Sequence, residues 1–303
     1  MTANAILITG GTGFLGRALV ARLLDQQQAV TVLSRDAHKV AKLFGDQVTA
    51  VTRISALPDA GQFKAIINLA GAGIFDQRWT AMRKQILRSS RIQLTEQLVA
   101  WIATSKQRPE LLISGSAIGY YGNQADTLLT EASSVKTDFS QQLCADWEIA
   151  ALQAESLGVR VCLIRTGLVL GLGGGVLQRM LLPFRLGLGG RLGNGQQWMA
   201  WIHINDWLAI VLAMLAQVSM QGAYNAVAPA PVTNQQFSQA LASQLNRPLL
   251  LPLPAKLLSV LLGEMAELLL GSQRVLPQRL LDQQFCFAFN HLEDALRDIL
   301  PST

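Results

Sequence analysis

Short apolar runs alternate along the chain with longer segments in which apolar residues recur at helical spacing. Residues 5–9 form the first apolar run, a glycine-rich stretch follows, and helical spacing begins at Phe14. The pattern predicts further strands at residues 29–34, 64–69, 111–114 and 159–164, and helices at residues 79–105 and 139–157. This alternation is typical of a parallel sheet with helices on both faces.

The pattern changes after residue 166, where glycine-rich stretches separate the predicted elements. We therefore predict an α/β fold with two parts: a Rossmann-type doubly wound parallel sheet over residues 1–166, and a smaller C-terminal α+β substrate lobe over residues 167–303. Some segments of the second part can return to the sheet. Within it, residues 198–204 predict a strand, and Asn205 and Asp206 are predicted to cap the helix that follows.

One apolar helical stripe is predicted near the C-terminus. Its members are Leu257, Leu258, Leu261, Leu262, Met265, Leu268 and Leu269. The surrounding residues 249–271 form the most membrane-like stretch of the chain, but prolines and charged residues interrupt it, so we predict no membrane span. We expect the stripe to pack on the substrate lobe or on a second subunit, and a homodimer is one of these alternatives.

The glycines after the first strand predict a binding site for a dinucleotide pyrophosphate. Glycine recurs in the pattern Gly10-x-x-Gly13-x-x-Gly16, which is one residue looser than the most familiar fingerprint. Glycines let the backbone approach a ligand closely, and the free N–H groups at the start of a helix attract anions. The predicted contacts in this turn are Gly10, Thr12, Gly13, Phe14, Leu15 and Gly16.

The end of the second predicted strand favours NADP over NAD. In dinucleotide-binding folds the residue at this place meets the adenosine ribose, where an acidic side chain accepts hydrogen bonds from the hydroxyls of NAD. Here the strand ends in Ser34 and Arg35. A guanidinium suits the additional 2′-phosphate of NADP, so we predict NADP(H) as the cofactor.

Composition narrows the class of protein. Half of the 303 residues are hydrophobic and 15% are charged, which is enough apolar material for a large core. The formal net charge is +5, but the basic residues are scattered singly, so we expect a small anionic ligand and no nucleic acid. The three cysteines have no metal-type or C-x-x-C spacing, which predicts no metal site and favours a cytoplasmic protein.

Several stretches together resemble the short-chain dehydrogenase/reductase superfamily, in its extended, epimerase-like branch. The resemblance includes the epimerase-like group sometimes labelled as cell-division inhibitors. The matching stretches are residues 8–16, 68–71, Trp79, 90–91, 119–122, 147–148, 182–190 (LPFRLGLGG), 201–204 (WIHI) and 272–277. The first stretch is shared very widely, whereas LPFRLGLGG and WIHI are far more specific.

The resemblance implies a Rossmann domain that binds NADP and a C-terminal lobe that binds substrate. It further implies cofactor contacts at Ser34 and Arg35, at Leu69, Ala70 and Gly71, at Arg91 and around Val169. Small residues such as Gly71, close behind a strand, also let the backbone approach a ligand at the carboxyl edge of a sheet.

The acid–base pair of the superfamily, a tyrosine with a lysine four residues later, is missing from the sequence. The residues four positions after the three tyrosines are Gln124, Ala125 and Ala228. Counted back from Glu148, Ser140 and Cys144 stand where that tyrosine and lysine would be. A tyrosine without a lysine neighbour keeps a pKa near ~10 and is a slow base at neutral pH.

Three candidate catalytic residues remain: Ser116 behind a sheet strand, Tyr121 (or its neighbour Tyr120) and His203 in the WIHI stretch. Each also has a structural alternative, as a packing aromatic or a hydrogen-bonded histidine. Two functions follow. The first is an NADP-dependent oxidoreductase or epimerase-like enzyme that acts on an unknown small carbonyl or sugar-type substrate. The second is a regulatory or redox-sensing protein that binds NADP(H) but has little catalytic activity.

Overall fold

The computed structural model describes residues 5–249 and 252–301. Within these residues the strands are β1 (Ala5–Thr9), β2 (Ala29–Leu33), β3 (Val48–Val51), β4 (Phe63–Asn68), β5 (Leu111–Ala117), β6 (Leu128–Leu129), β7 (Arg160–Thr166), β8 (Leu168–Leu170), β9 (Trp198–Met199), β10 (Trp201–His203), β11 (Gly222–Ala226), β12 (Val232–Thr233) and β13 (Arg274–Val275). The α-helices are α1 (Phe14–Asp25), α2 (Ala37–Phe44), α3 (Ala81–Arg88), α4 (Leu94–Thr104), α5 (Phe139–Leu152), α6 (Gly175–Arg185), α7 (Ile204–Ala216), α8 (Asn234–Gln244), α9 (Ala255–Leu262), α10 (Glu267–Leu270), α11 (Gln278–Asp282) and α12 (Leu292–Ile299).

The fold is organised around a parallel sheet. Within the described residues this sheet has seven strands, in the order β11-β7-β5-β4-β1-β2-β3. The chain runs outward from β1 in one direction through β2 and β3, and returns on the other side with β4. Ligands of such sheets bind at this reversal, outside the carboxyl ends of the strands. The predicted Rossmann-type doubly wound sheet is confirmed. Its edge strand β11 follows residue 166, so the chain does return to the sheet.

The core lies on both faces of this sheet because successive residues of a strand point to opposite sides. Ile8 of β1 packs with α1 and α7, including Leu19 and Trp207, whereas Leu7 packs on the other face with α4 and α5. All four side chains are fully buried. The two layers of helices leave the carboxyl edge of the sheet open for a ligand.

The predicted helix over residues 79–105 is interrupted. It begins at Ala81, where the Thr80 side chain accepts a hydrogen bond from the backbone N–H of Arg83, and it ends at Thr104. Between α3 and α4 the chain forms a π-helical turn over Ser89–Gln93. Turns of this kind are rare and concentrate at functional sites.

The start of α7 differs from the prediction. The prediction that Asn205 and Asp206 cap this helix was wrong, because His203 is the N-cap and its Nδ1 accepts from the Asn205 backbone N–H at 3.1 Å. The Asp206 carboxylate instead accepts from the backbone N–H groups of Ala288 and Phe289, at 2.8 and 3.0 Å. Asp206 therefore fixes the segment that precedes α12.

The predicted stripe between Leu257 and Leu269 is not one helix. Gly263, at φ +61°, ends α9, and a 3₁₀ turn (Gly263–Ala266) separates it from α10. Residues 250–251 of the wider stretch lie outside the described residues. No helix of the described residues is long and apolar enough to cross a membrane.

Candidate functional site

The glycine-rich turn after β1 has no room for side chains. A Cβ on Gly10 would lie 2.7 Å from the carbonyl carbon and oxygen of Leu69, and Gly10 has φ +70°, a conformation that side chains disfavour. A Cβ on Gly16 would overlap the Gly10 carbonyl oxygen. The turn closes on itself, with the Gly13 N–H donating to the Gly10 oxygen at 2.9 Å. Both contacts require glycine, as the pattern predicts.

The N-terminus of α1 is open toward the carboxyl edge of the sheet. Its N-cap is Gly13, which has no side chain to accept a bond from the first N–H groups of the helix. Those donors and the helix dipole attract an anion such as a pyrophosphate. The chain therefore has a cradle that fits a dinucleotide, formed by the turn and the helix end.

A buried chain of hydrogen bonds ties the end of β1 to the end of β4. Thr9 Oγ1 donates to Asn68 Oδ1 at 2.7 Å and accepts from the backbone N–H of Ala70 at 3.1 Å. Asn68 Nδ2 donates to Thr95 Oγ1 at 2.8 Å, and the Trp147 indole donates to the same oxygen at 3.0 Å. These bonds hold the predicted contacts Leu69 and Ala70 beside the glycine turn.

Arg91 reaches this edge from the π-helical turn. Its Nη2 donates to the Ala72 carbonyl at 3.0 Å, and its guanidinium lies so close to Gly71 that a Cβ there would be 2.7 Å from Cζ. The guanidinium also lies 5.4 Å from the centroid of the Trp147 ring. Burial lowers the pKa of Arg91. The structure brings Arg91 and Gly71 together, and their predicted contact with a cofactor stays a prediction.

Ser34 and Arg35 follow β2 at the same edge of the sheet. Ser34 Oγ accepts from the Asp36 backbone N–H at 3.3 Å, and Asp36 caps α2 through the Lys39 N–H at 3.0 Å. Arg35 is exposed. Its guanidinium is thus accessible to a phosphate, which is the role that the sequence predicts for it.

A cavity of about 410 Å³ lies between the sheet and the C-terminal helices. Its walls come from the residue that follows β5 (Ile118), from β8 and β9, from α6 and the loop behind it, and from α9, the 3₁₀ turn and α10. The stripe that was predicted to pack on the substrate lobe or on a second subunit supplies Leu258, Leu262, Met265 and Leu268 to this wall. A substrate-sized space therefore lies beside the carboxyl edge of the sheet.

The cavity and the glycine turn share the first turn of α6. The Phe14 ring at the start of α1 packs on Gly174, where a Cβ would lie 2.6 Å from its Cγ. Two residues later Val176 lines the cavity. Arg17 Nη2 donates to the Gly173 carbonyl at 3.0 Å and holds this loop. The loop therefore lies beside both the predicted cofactor cradle and the cavity. The predicted contact Val169 lies on β8 directly below it, where it is buried.

Ser116 belongs to a buried network of charged groups. Its Oγ donates to Glu148 Oε1 at 2.6 Å, and Arg165 donates to the same carboxylate from Nε and Nη2, both at 2.8 Å. The side chains of the ion pair are each only 5% exposed. Burial alone would lower the pKa of Arg165, but the hydrogen bonds and charge of Glu148 raise it above its ordinary value. The Ser116 hydroxyl proton therefore points to Glu148.

Tyr121 is joined to the same network. It is fully buried, and its hydroxyl donates to Asn225 Oδ1 at 2.6 Å and accepts from Arg165 Nη1 at 3.0 Å. Burial raises the pKa of Tyr121 to about 12, although Arg165 acts in the opposite direction. The neighbouring ring of Tyr120 lies under the Arg165 guanidinium, 3.4 Å from Cζ to centroid. The two tyrosines thus pack around the ion pair.

His203 is buried at the start of α7. Its Nδ1 caps that helix, its Nε2 lies 3.2 Å from Oδ2 of Asp298, and its ring stacks on Phe289 at 3.9 Å. Burial lowers the pKa of His203, while Asp298 and Asp206 raise it. Among the described residues that line the cavity, none of the three candidates Ser116, Tyr121 and His203 is found.

Comparison with known proteins identifies the family. The sequence profile described as the NAD dependent epimerase/dehydratase family matches residues 6–227. The chain belongs to this family. A second profile, a domain of unknown function (DUF1731), matches residues 253–299, which include α9, α10 and their part of the cavity wall. The predicted resemblance to the epimerase-like branch is confirmed.

Individual relatives support the assignment over the whole chain. A protein of Arabidopsis thaliana, described as a chloroplastic homolog of epimerase family protein SDR39U1, is 38% identical over 97% of this chain and 86% of its own. The crystal structure of human epimerase family protein SDR39U1 (isoform 2) with NADPH has 33% identity and a TM-score of 0.89, covering 99% of this chain and all of that one. A Corynebacterium glutamicum structure, described as a nucleoside-diphosphate sugar epimerase, has 30% identity and a TM-score of 0.78, covering 98% of this chain and 58% of that chain.

This member of the epimerase/dehydratase family carries Ser140 and Cys144 on the face of α5 that packs against the loop after β5. A Cβ on Gly119 would lie 3.3 Å from Ser140 Cβ and 3.6 Å from Cys144 Sγ. Burial raises the pKa of the Cys144 thiol to about 12. The thiol therefore stays protonated and neutral at neutral pH. A cysteine has no positively charged form, so Cys144 cannot replace the ammonium of a lysine.

Sequence reasoning missed the Glu148–Arg165 pair. A signal was available, because Arg165 stands within the apolar run of β7 and a charge in such a strand requires a buried partner. Within the described residues, no group of three or more histidine, cysteine or acidic side chains could hold a metal ion.

Proposed function

We propose that this chain binds NADP(H) and acts as an oxidoreductase or epimerase-like enzyme on a small carbonyl compound. The observation that carries the proposal is the contact between two sites. The open N-terminus of α1 and the cavity of about 410 Å³ meet at the first turn of α6. A dinucleotide in the cradle would have its reactive end close to a molecule in the cavity.

The preference for NADP rests on Arg35. This exposed guanidinium follows β2, at the place where a dinucleotide ribose lies in such folds. It would pair with a 2′-phosphate, whereas an acidic residue would repel it. The human relative in its structure with NADPH supports the same choice for this chain. We place the protein in the cytoplasm, in keeping with its three free cysteines.

The residues of this chain would have the following roles. The turn at Gly10 and Gly16 and the end of α1 would hold the pyrophosphate, and Arg91 would support the loop at Gly71 from below. When bound, the cofactor would supply a hydride to a carbonyl carbon, or accept one from the carbinol C–H of the corresponding alcohol. The apolar wall around Ile118 would exclude water from the reacting carbonyl.

A second function, a regulatory or redox-sensing protein that binds NADP(H) with little catalysis, is favoured by one observation. Ser116, Tyr121 and His203 all have protein partners, and none of them is among the described residues that line the cavity. If Ser116 and Tyr121 are catalytic, Ser116→Ala and Tyr121→Phe will each reduce turnover of a carbonyl substrate. Unchanged turnover in both variants would reject that assignment.

Titration with NADPH and NADH, followed by tryptophan fluorescence, tests the proposed cofactor. We expect NADPH to bind more tightly, and Arg35→Ala to weaken NADPH by about tenfold or more, since a charge-assisted bond to phosphate contributes roughly 1.5–3 kcal/mol. NADH affinity should change little. The matched control is Arg22→Ala, another exposed arginine, which lies in the last turn of α1, at the opposite end of that helix from the glycine turn. Equal losses for both cofactors in Arg35→Ala would refute the role of Arg35, and failure to bind either cofactor would refute the proposed function.

A further inference from the structure

The lining of the cavity limits the kind of molecule that can fill it. Most of its wall is made of aliphatic, aromatic and methionine side chains and of glycine backbone. Among the described residues of the wall, Arg179 is the one charged side chain, and its Nη2 is paired with Asp76 at 3.0 Å. Both partners are more than half exposed, so this pair lies at the mouth and not in the interior.

The polar side chains of the wall are already bonded to the protein. Gln197 Nε2 donates to the carbonyls of Leu192 and Leu269, at 3.1 and 3.0 Å. Asn234 Oδ1 accepts from the Leu192 N–H at 2.7 Å, and Gln273 Nε2 donates to the Gly122 carbonyl at 3.1 Å.

The indole N–H of Trp198, also in the wall, donates to Asp126. A ligand with many hydroxyl groups would have to compete with these internal bonds, and each group left without a partner would weaken its binding.

A nucleoside diphosphate would also need positive charge from the cavity. Enzymes bind a diphosphate with several cations or with a helix N-terminus, because two negative charges must be compensated. The open N-terminus of α1 lies on the other side of the Gly173–Gly174 loop, and the one arginine of the cavity wall already has a carboxylate partner. The N-terminus of α6 does lie beside the cavity, since its N-cap Gly174 has no side chain and Val176 is in the wall, but among the described residues of the wall no unpaired cation accompanies it.

Besides the Arg179–Asp76 pair, the mouth of the cavity has exposed apolar side chains. Leu188 lines it and is 55% exposed, and Leu182 and Leu186, on or just after α6, are also exposed. Exposed apolar side chains at the entrance of a cavity mark a binding site for apolar ligands.

We infer that the substrate of this cavity is an uncharged, mainly apolar carbonyl compound and not a nucleotide sugar. The inference rests on the proposed function, since it names the substrate class of the same site. The reaction would add a hydride from NADPH to the carbonyl carbon and a proton, drawn from solvent, to the carbonyl oxygen, leaving an alcohol and NADP⁺.

Isothermal titration of the NADPH-loaded protein tests the inference with two kinds of probe. The apolar probes are benzylacetone, 2-decanone and cyclohexanone, and the polar probe is UDP-glucose. We expect at least one apolar ketone to bind with a negative heat-capacity change, and UDP-glucose not to bind. Binding of UDP-glucose, or no binding of any of the three ketones, would overturn the inference.

Two variants on α9 make the test specific to the cavity wall. Leu258 is buried and lines the cavity, whereas Leu261, one turn later on the same helix, is 56% exposed. Leu258→Glu should weaken ketone binding by about tenfold or more, because it places a carboxylate in the apolar wall, and Leu261→Glu should leave it unchanged. Leu188→Glu at the exposed mouth gives the same readout if Leu258→Glu does not fold. Equal affinity in Leu188→Glu, Leu261→Glu and the parent would contradict the inference.

The titration also separates this inference from the proposed function. NADPH binding is measured first and by itself, and its absence would refute the proposed function. Ketone binding to the cofactor-free protein, weakened by the Leu258 or Leu188 variant, would still support an apolar site. NADPH binding followed by UDP-glucose binding would leave the proposed function standing and overturn the substrate class.

Discussion

Replacing Arg165 with methionine tests whether the buried ion pair holds the end of β5 in place. In the structure two guanidinium nitrogens donate to the two carboxylate oxygens of Glu148 at 2.8 Å, and both side chains are only 5% exposed. Arg165→Met would leave Glu148 as a buried charge without its cation, which costs about 3–5 kcal/mol in comparable cases. Ser116 would still donate to the carboxylate, so we expect a loss near the lower end of that range.

The assay is urea unfolding at neutral pH, followed by tryptophan fluorescence. The matched control is Arg88→Met, because Arg88 also pairs with a residue of α5, Asp146, but the two side chains are 42% and 41% exposed. An exposed pair contributes about 0–1 kcal/mol, so the control should change the free energy of unfolding little.

A double variant separates loss of the cation from loss of packing. Glu148→Leu combined with Arg165→Met removes both charges, and we expect it to recover much of the stability lost in Arg165→Met alone. If Arg165→Met is no more destabilising than Arg88→Met, the argument that this pair holds the end of β5 is refuted. A double variant that is less stable than Arg165→Met would show instead that the pair is favourable in its own right.

Three further predictions concern the cofactor turn, the thiols and the buried histidine. Gly16→Ala should weaken NADPH binding at least about tenfold in a titration, because the new Cβ overlaps the first carbonyl of the turn; unchanged affinity would refute the close-approach argument. A thiol reagent at about pH 8 should modify exposed Cys286 rapidly, but Cys144 and Cys162 only after unfolding, since burial raises their pKa to about 12 and about 11; three fast thiols would contradict this. Because burial lowers the pKa of His203, the unfolded chain binds more protons below about pH 6.5, so the free energy of unfolding should fall as the pH drops from about 7.5 to 5.5. His203→Asn, which keeps a cap acceptor, should reduce that fall, and an equal fall in both proteins would reject the assignment.

Five strands of the sheet (β1, β2, β4, β5 and β7) could be predicted because each is an apolar run between breakers, and the longer helices because their apolar residues recur at helical spacing. The edge strands β3 and β11 were not predicted, because both are short and alternate apolar with small or polar residues. What the sequence did not reveal was local hydrogen bonding. The π-helical turn at Ser89–Gln93 keeps helical spacing on both sides, so its residues look like ordinary helix. The cap of α7 was assigned to Asn205 and Asp206 because those residue types are frequent caps, whereas tertiary contacts give that place to His203.

Of the candidate site, too, one part could be predicted from the sequence and the rest could not. The glycine turn could be predicted because its chemistry is local: strand, turn and helix start follow one another in the chain. The Ser116–Glu148–Arg165 network could not, since its members come from β5, α5 and β7, and only the sheet register brings them together. The cavity combines segments from Phe75 to Gln273, and no spacing in the sequence indicates which of their faces meet.

The absence of the tyrosine–lysine pair is consistent with the positive charge that already lies beside α5. A lysine at position 144 would lie close to Arg91, whose charge already acts on the Cys144 thiol, and burial disfavours a second cation there. Arg91 comes from the neighbouring helix, and the π-helical turn aims it at the loop of Gly71, beside the predicted cofactor cradle. In this chain the positive charge beside the predicted cradle therefore comes from the Arg91 guanidinium, and not from a lysine ammonium on the same helix face as a tyrosine. A site built in this way would suit an anionic cofactor, and for Tyr121 to transfer a proton its hydroxyl would first have to leave its hydrogen bonds to Asn225 and Arg165.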